Sequence, residues 1–116
     1  MTDIIIYHNS RCSKSRQTLA LIEDKSDKLT IVNYLETPPT LAELKEIVTL
    51  LGFTSARQLM RTGEAIYKEL QLKSEEDEAT LLQAMITNPK LIERPIVLAN
   101  GKAKIGRPPE SVLTII

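Results

Sequence analysis

Cys12 is the only cysteine of the chain, and it lies in a polar segment with no acidic residue from position 4 to position 22. Three basic residues lie within four positions of it: Arg11, Lys14 and Arg16. An apolar pattern with helical spacing follows from Thr18, so we expect the thiol near a helix N-terminus, where unpaired N–H groups and the helix dipole favour a thiolate. A free thiol titrates near ~8.5, and such settings bring its pKa to roughly 3.5 to 7.5. The polar surroundings predict a nucleophile rather than a small buried apolar residue.

The residues after Cys12 exclude two kinds of cysteine chemistry. A phosphatase loop needs an arginine six positions on, where this chain has Thr18, and a dithiol motif needs a second cysteine three positions on, where it has Ser15. With one Cys and one His, the chain cannot form an internal disulfide and has few ligands for a metal, so we predict no metal site. Any disulfide must join Cys12 to another molecule.

A strand, a helix and a second strand are predicted around this segment. Residues 4–7 form a short β-branched run, typical of a strand buried on both faces, and residues 29–34 suggest the next strand. The helix after Cys12 lies between them. Such a β-α-β unit has parallel strands and is normally right-handed.

The end of the chain predicts a β-hairpin followed by a short helix. Asn100-Gly101 separates two strand-like runs, 96–99 and 102–105, and this dipeptide is a strong hairpin signal. A helix is expected after Pro109, with three residues facing inward: Val112, Leu113 and Ile115.

Between these parts, residues of about 40–88 predict a helical insertion. Thr40 and Glu43 have the spacing of a capping box, and Ser55 and Ser74 are the expected starts of further helices, with a short helical piece at 65–70. The order β-α-β, helical insertion, β-β-α is that of thioredoxins and glutaredoxins. We therefore predict an α/β, thioredoxin/glutaredoxin-like fold with a mixed four-stranded sheet.

Composition sets the class of protein. With 116 residues, 42% of them apolar, the chain is long enough for one buried core, so we expect a single domain over residues 1–116. The 15 basic and 15 acidic residues cancel, which disfavours nucleic acid and membrane partners. No apolar stretch approaches the roughly 18 residues of a spanning helix. We expect a soluble, cytoplasmic protein.

Three arginines lie beside residues that break regular structure: Arg61, Arg94 and Arg107. Arg94 precedes Pro95, in the place where thioredoxin-like folds carry a cis-proline facing the active thiol. The stretch between Glu93 and Glu110 contains no acid, and in this fold it packs next to the first helix. Since a guanidinium binds two oxygens at once, arginines beside a thiolate predict a site for a tetrahedral oxyanion.

His8 lies four residues before the thiol, and the residues leave its role open. A cation that stabilises the thiolate and a strand-end histidine bonded to the backbone are both compatible with the pattern, whereas a metal ligand would lack companions.

In these segments the sequence resembles the glutaredoxin-dependent arsenate reductases and their relatives of thioredoxin-like fold. The matching pieces are Ile6-Tyr7-His8-Asn9 with Cys12 and Ser15-Arg16, the surroundings of Arg61, Glu93-Arg94-Pro95-Ile96-Val97, and Gly106-Arg107-Pro108-Pro109. They span nearly the whole chain. The resemblance implies that Cys12 attacks arsenate and that His8 helps to keep it ionised. It also implies that three arginines hold the oxyanion: Arg61, Arg94 and Arg107.

The resemblance further implies glutathione as co-substrate and glutaredoxin as partner, with no bound cofactor. The expected mechanism has the Cys12 thiolate attacking arsenic(V), glutathione attacking the adduct, and glutaredoxin resolving the mixed species. Two alternatives remain open. One is a glutathione-linked thiol oxidoreductase that uses the same thiol on another substrate. The other is a transcription regulator of the same fold that binds RNA polymerase, although such regulators often carry a second cysteine where this chain has Ser15.

Overall fold

The computed structural model describes residues 2–116, which form two compact units. The first unit, called the thiol unit, comprises the residues up to 37 together with 94–116. The second, called the helical unit, comprises residues 38–93. The helices predicted for about 40–88 lie in the helical unit, while the description of residues 1–116 as a single domain stays a prediction. None of the helices within residues 2–116 has the length and apolar character needed to cross a membrane.

The thiol unit contains a mixed four-stranded sheet in the order β2-β1-β3-β4. Its elements are β1 (Thr2–His8), α1 (Ser13–Ile22), β2 (Ser26–Asn33), β3 (Ile96–Ala99) and β4 (Lys102–Ile105). The β1–β2 pair is parallel, and the β1–β3 and β3–β4 pairs are antiparallel. Asn100 and Gly101 have φ of 54° and 72°, the left-handed values that a two-residue hairpin turn requires. The predicted sheet and hairpin are confirmed.

An apolar core holds α1 against one face of this sheet. Ile4 pairs directly with Ala99 and Ile6 with Val97, so the four side chains lie on the same face. They pack against α1 through Ile22 and against a C-terminal 3₁₀ helix, Pro109–Ile115. Because β1 and α1 share this core, the loop between them, which carries Cys12, is anchored at both ends.

Leu113 does not face inward, contrary to expectation: it is 37% exposed. The last helix is 3₁₀ rather than α, and three residues per turn place every third side chain on the same face. Pro109, Val112 and Ile115 accordingly form the buried face. Leu113 lies one residue beyond it.

The helical unit contains three α-helices: α2 (Leu41–Leu50), α3 (Ala65–Glu69) and α4 (Glu78–Thr87). Short 3₁₀ turns lie between them at Ala56–Leu59 and Leu72–Ser74, and a third, Pro89–Leu91, follows α4. The capping box of Thr40 and Glu43 is present in both directions, as predicted. Ser55 also caps with Gln58, but the helix it begins is a four-residue 3₁₀ turn.

The prediction that a helix begins at Ser74 is wrong, because α4 begins at Glu78. Ser74 belongs to a 3₁₀ turn, and its hydroxyl donates to the carbonyl of Gln71. Asp77 is the N-cap instead, and its carboxylate accepts from the N–H of Ala79 and the hydroxyl of Thr80. A side-chain cap directly before the apolar residues of α4 accepts from one of its first N–H groups, so the helix starts there.

Candidate active site

Cys12 is the N-cap residue of α1, in extended conformation with φ −94° and ψ 122°. Its N–H donates to the carbonyl of Asn9 (3.0 Å), and its own carbonyl accepts from the N–H of Arg16 (3.0 Å). The residue is 9% exposed. The thiol therefore occupies the place where a serine or aspartate side chain usually caps a helix, next to unpaired N–H groups.

The pKa of the Cys12 thiol lies below its ordinary value. Burial acts in the opposite direction and raises it, but the N–H of Ser15, the guanidinium of Arg94 and the N–H of Lys14 together outweigh burial. Arg94 acts both by hydrogen bonding and by its charge. These groups favour the thiolate, as predicted from the position of Cys12 at the helix start.

Arg107 joins Arg94 at the sulfur. Nη2 of Arg107 donates to Sγ of Cys12 (3.6 Å), and Nε of Arg107 donates to the carbonyl of Arg94 (2.9 Å). The second bond holds the guanidinium by its Nε, so that Nη2 can reach the sulfur. The Arg94–Pro95 peptide is cis, as the sequence predicted, and the Arg107–Pro108 peptide is cis as well.

Gly106 allows this loop to lie close to α1. A Cβ at position 106 would come within 2.4 Å of the Thr18 hydroxyl oxygen and 2.8 Å of Cγ of Pro95, distances too short for real atoms. The Gly106 N–H also donates to the carbonyl of Pro95 (3.0 Å). Only glycine lets the chain pass here, and the next residue, Arg107, thereby reaches the start of α1.

His8 contacts Ser15. His8 and Ser15 are both buried, and Nδ1 of His8 lies 2.6 Å from Oγ of Ser15, which also accepts from the N–H of Asn9 (3.0 Å). Burial lowers the pKa of His8, and the charge of Arg16 lowers it further. A lowered pKa favours the neutral imidazole, which disfavours the interpretation of His8 as a cation beside the thiolate.

Ser15 is the residue that sequence reasoning missed. The sequence marks Ser15 as the absence of a second cysteine and as part of the matching segment but gives it no role of its own, whereas its N–H stabilises the thiolate and its hydroxyl bonds to His8. The available signal was its place in the first turn of α1, where N–H groups have no partner within the helix. A hydroxyl there can bond to the preceding strand end.

Arg61 belongs to the helical unit and is bonded within it. Nη1 of Arg61 donates to Glu93 (2.9 Å) and Nε to Glu64 (3.4 Å), so two carboxylates counter its charge. Its N–H donates to the carbonyl of Leu91 (2.7 Å). Arg61, Glu64 and Glu93 line a polar cavity of about 390 Å³. The role of Arg61 in binding an oxyanion stays a prediction.

The structure thus brings four of the predicted residues together in the thiol unit. Arg94 and Arg107 contact Cys12 directly, and His8 reaches the thiol environment through Ser15. Within residues 2–116, no group of three or more His, Cys, Asp or Glu side chains is arranged to hold a metal ion. The arrangement can stabilise a sulfur nucleophile and a bound anion next to it.

A mixed four-stranded sheet in the order β2-β1-β3-β4, with a thiol at the start of the first helix, defines a thioredoxin-like α/β protein, which confirms the predicted fold class. Residues 7–115 match the ArsC family, and the chain belongs to that family. The arsenate reductase of Neisseria meningitidis serogroup A is 50% identical over 117 residues, covering 100% of both chains. The Escherichia coli K12 protein named "Uncharacterized protein YfgD" is 57% identical over 112 residues, covering 96% of this chain and 94% of the relative.

The solved structures include a similar protein. The arsenate reductase from Vibrio cholerae matches with a TM-score of 0.94 and 49% identity, covering 99% of this chain and 98% of that chain. This likeness extends over the thiol unit and the helical unit alike. The resemblance to arsenate reductases and their thioredoxin-like relatives, noted in the sequence, is confirmed.

Proposed function

We propose that this protein is an arsenate reductase that uses the Cys12 thiolate as its nucleophile. The observation that carries the proposal is the convergence of two guanidinium groups, Arg94 and Arg107, on the Cys12 sulfur. A bound tetrahedral oxyanion would meet the nucleophile and two cations in one place. The names of similar proteins from Neisseria meningitidis and Vibrio cholerae point to the same substrate.

In the proposed first step, the Cys12 thiolate attacks arsenic(V). A sulfur–arsenic bond forms, and one arsenate oxygen takes up protons and leaves as water. Arg94 and Arg107 bind the remaining oxygens, and Arg61 is proposed as a third ligand. His8 and Ser15 position the first turn of α1, whose N–H groups stabilise the thiolate before attack.

Glutathione is proposed to complete the reduction. Its thiolate attacks the Cys12 sulfur of the adduct, the sulfur–arsenic bond breaks, and the bonding electron pair stays on arsenic, which leaves as arsenite. The two sulfurs supply the two electrons and end in a mixed disulfide. A glutaredoxin thiolate then attacks the glutathione sulfur, and Cys12 leaves as a thiolate, which its low pKa favours. We propose that these steps take place in a reducing cytoplasm.

Steady-state reduction of arsenate with glutathione and glutaredoxin tests the proposal. We expect turnover well above a blank without protein, and we expect Cys12→Ser to fall to the blank, because no second thiol exists to replace it. Circular dichroism of Cys12→Ser should match the wild type, which separates chemistry from folding. Arsenate reduction by that variant, or none by the wild type, would refute the mechanism.

A glutathione-linked thiol oxidoreductase is the second candidate. The single thiolate and the serine three residues later suit a mixed disulfide with glutathione without arsenic. Reduction of a glutathionylated peptide by the wild type, in the absence of turnover with arsenate, would favour it. The two guanidinium groups at the sulfur favour the arsenate reductase.

A further inference from the structure

Three exposed cations flank the thiol without being part of the arginine pair at the sulfur. Arg11, Lys14 and Arg16 are all exposed, and together they are called the basic face. Within residues 2–116, none of the three is paired with a carboxylate. Arg16 donates to the carbonyl of Ser10 (3.0 Å), an uncharged acceptor. The basic face therefore presents uncompensated positive charge beside Cys12.

This concentration of charge contrasts with the balance of the whole chain, which has 15 basic and 15 acidic residues. Like charges on a small surface repel each other, so the acid-free basic face slightly lowers the stability of the free protein. The negative charges of an acidic partner would compensate this repulsion. Arg94 and Arg107 already reach the sulfur, so a bound oxyanion does not need the basic face.

The placement of these cations suits a partner wider than a small anion. Lys14 and Arg16 are two residues apart in α1, so their side chains leave the helix on different sides. Arg11 lies in the loop before the helix. The three cations extend over the loop and the first turn of α1, an area wider than one tetrahedral anion at Cys12 contacts, whereas a protein that docks on this end of α1 can reach all three.

We propose that the basic face is the docking surface for an acidic protein that carries a thiol and reduces the mixed disulfide of Cys12. The inference rests on the last step of the proposed function and assigns that step to a surface. The partner's thiolate attacks the glutathione sulfur, a new disulfide forms on the partner, and Cys12 leaves as a thiolate. Charge attraction brings the two proteins together before the exchange.

The double variant Arg11→Gln/Lys14→Gln removes two of the three charges. Both side chains are exposed, and their backbone bonds remain, since the N–H of Arg11 donates to Asn9 and the carbonyl of Lys14 accepts from Thr18. Lys25→Gln is the matched control, because Lys25 is also an exposed cation of the thiol unit but lies beyond the other end of α1. Lys14 acts on the thiol through its backbone N–H, which glutamine keeps, so neither substitution removes a hydrogen bond to Cys12.

The assay starts from the Cys12–glutathione mixed disulfide, made with oxidised glutathione and verified by mass as one adduct per chain. Its second-order reduction rate is measured with a purified glutaredoxin of net negative charge, with free glutathione, and with uncharged dithiothreitol, each across a range of NaCl concentrations. No arsenate is present, so a failure of arsenate reduction does not affect the result.

For glutaredoxin, we expect the double variant to react about tenfold more slowly at low salt, with a weaker salt dependence than the wild type. Dithiothreitol should reduce both proteins within about twofold, and Lys25→Gln should match the wild type. An unchanged glutaredoxin rate in the double variant would overturn the proposal. An equal loss with dithiothreitol, or an equal loss with free glutathione, would also overturn it, since the basic face would then act on the thiol itself or on a small anion.

Discussion

Arginines of the two units have different partners. In the helical unit, Arg57 donates to the Tyr67 hydroxyl and to the carbonyl of Leu72, and Arg61 donates to two carboxylates. In the thiol unit, Arg94 and Arg107 contact the Cys12 sulfur. Arg57 and Arg61 donate to oxygen atoms of the helical unit itself, so these donors are already occupied within that unit.

The comparison shows that an arginine's role depends on what the chain places around it. A guanidinium bonded to carbonyls or carboxylates contributes to structure, and fewer of its five N–H donors remain for a ligand. A guanidinium held by one carbonyl and aimed at a thiolate keeps donors for an anion. We therefore expect the loss of Arg57 to lower mainly stability and the loss of Arg107 to lower mainly activity.

The largest effect on stability is expected for Arg57→Ala. The guanidinium contacts Tyr67 and the carbonyls of Leu72 and Glu75, so its loss leaves several partly buried acceptors without a donor. We expect the free energy of unfolding to fall by about 2–4 kcal/mol, measured by urea denaturation. The rate of Cys12 alkylation in the folded protein should not change. A loss below about 0.5 kcal/mol would contradict a structural role for Arg57.

Arg107→Ala should lower arsenate use by roughly ten- to a hundredfold in kcat/KM. The lost charge-assisted hydrogen bonds to the anion correspond to about 1.5–3 kcal/mol, while the exposed side chain contributes little to stability. The melting temperature should shift by only a few degrees. Arg107→Lys should recover part of the activity, because a single ammonium lacks the two-pronged geometry. Wild-type kinetics in Arg107→Ala would mean that this arginine is an ordinary surface residue.

A smaller effect is expected for His8→Ala on the pKa of the Cys12 thiol. The alkylation rate of the wild type with iodoacetamide should rise with pH and reach half its maximum below the free-thiol value of ~8.5. His8→Ala should raise that midpoint by less than about one pH unit, because Ser15 loses the bond that holds it.

His8→Gln distinguishes positioning from charge. A neutral amide can still bond to the Ser15 hydroxyl, so the variant should restore most of the wild-type midpoint if His8 acts as a neutral positioning residue. If His8→Gln behaved like His8→Ala, a charged imidazole would be the better explanation.

The lowered pKa of Cys12 makes the free energy of unfolding increase with pH up to about 8.5, since the unfolded thiol holds its proton more strongly.

Glu64→Gln should have the smallest effect. Its bond to Arg61 is 3.4 Å long and partly exposed, and such ion pairs contribute about 0–1 kcal/mol. Urea denaturation should therefore give a free energy of unfolding within about 1 kcal/mol of the wild type. A larger loss would show that the carboxylates around Arg61 stabilise the helical unit as strongly as the bonds of Arg57 do.

Features with a local cause could be predicted from the sequence. The position of Cys12, the capping box at Thr40, and the turn at Asn100-Gly101 each depend on a few neighbouring residues. The contact between Arg107 and Cys12, which are 95 residues apart, could be predicted only from the order of elements and the family that this order and the motifs resemble. Order and local signals together were enough for the fold and for most of the candidate site.

Features that depend on competition or on distant partners could not be predicted. Ser74 and Asp77 both suit a helix start, and the choice depends on bonds elsewhere in the helical unit. The bond between Arg61 and Glu93 joins residues 32 positions apart, and no pattern in the sequence marks it. The 3₁₀ geometry that exposes Leu113 is likewise a result of packing rather than of a periodic pattern.

The contact at Gly106 determines how the site meets negative charge. The Thr18 hydroxyl that a Cβ at position 106 would strike is bonded to the carbonyl of Lys14 in the first turn of α1 (2.8 Å), so the loop that carries Arg107 packs closely on the helix that Cys12 caps. Close packing therefore acts together with charge to hold the guanidinium near the sulfur. Such a site is preorganised: its dipoles and cations are already oriented when charge develops, and the reorganisation that water would need is avoided.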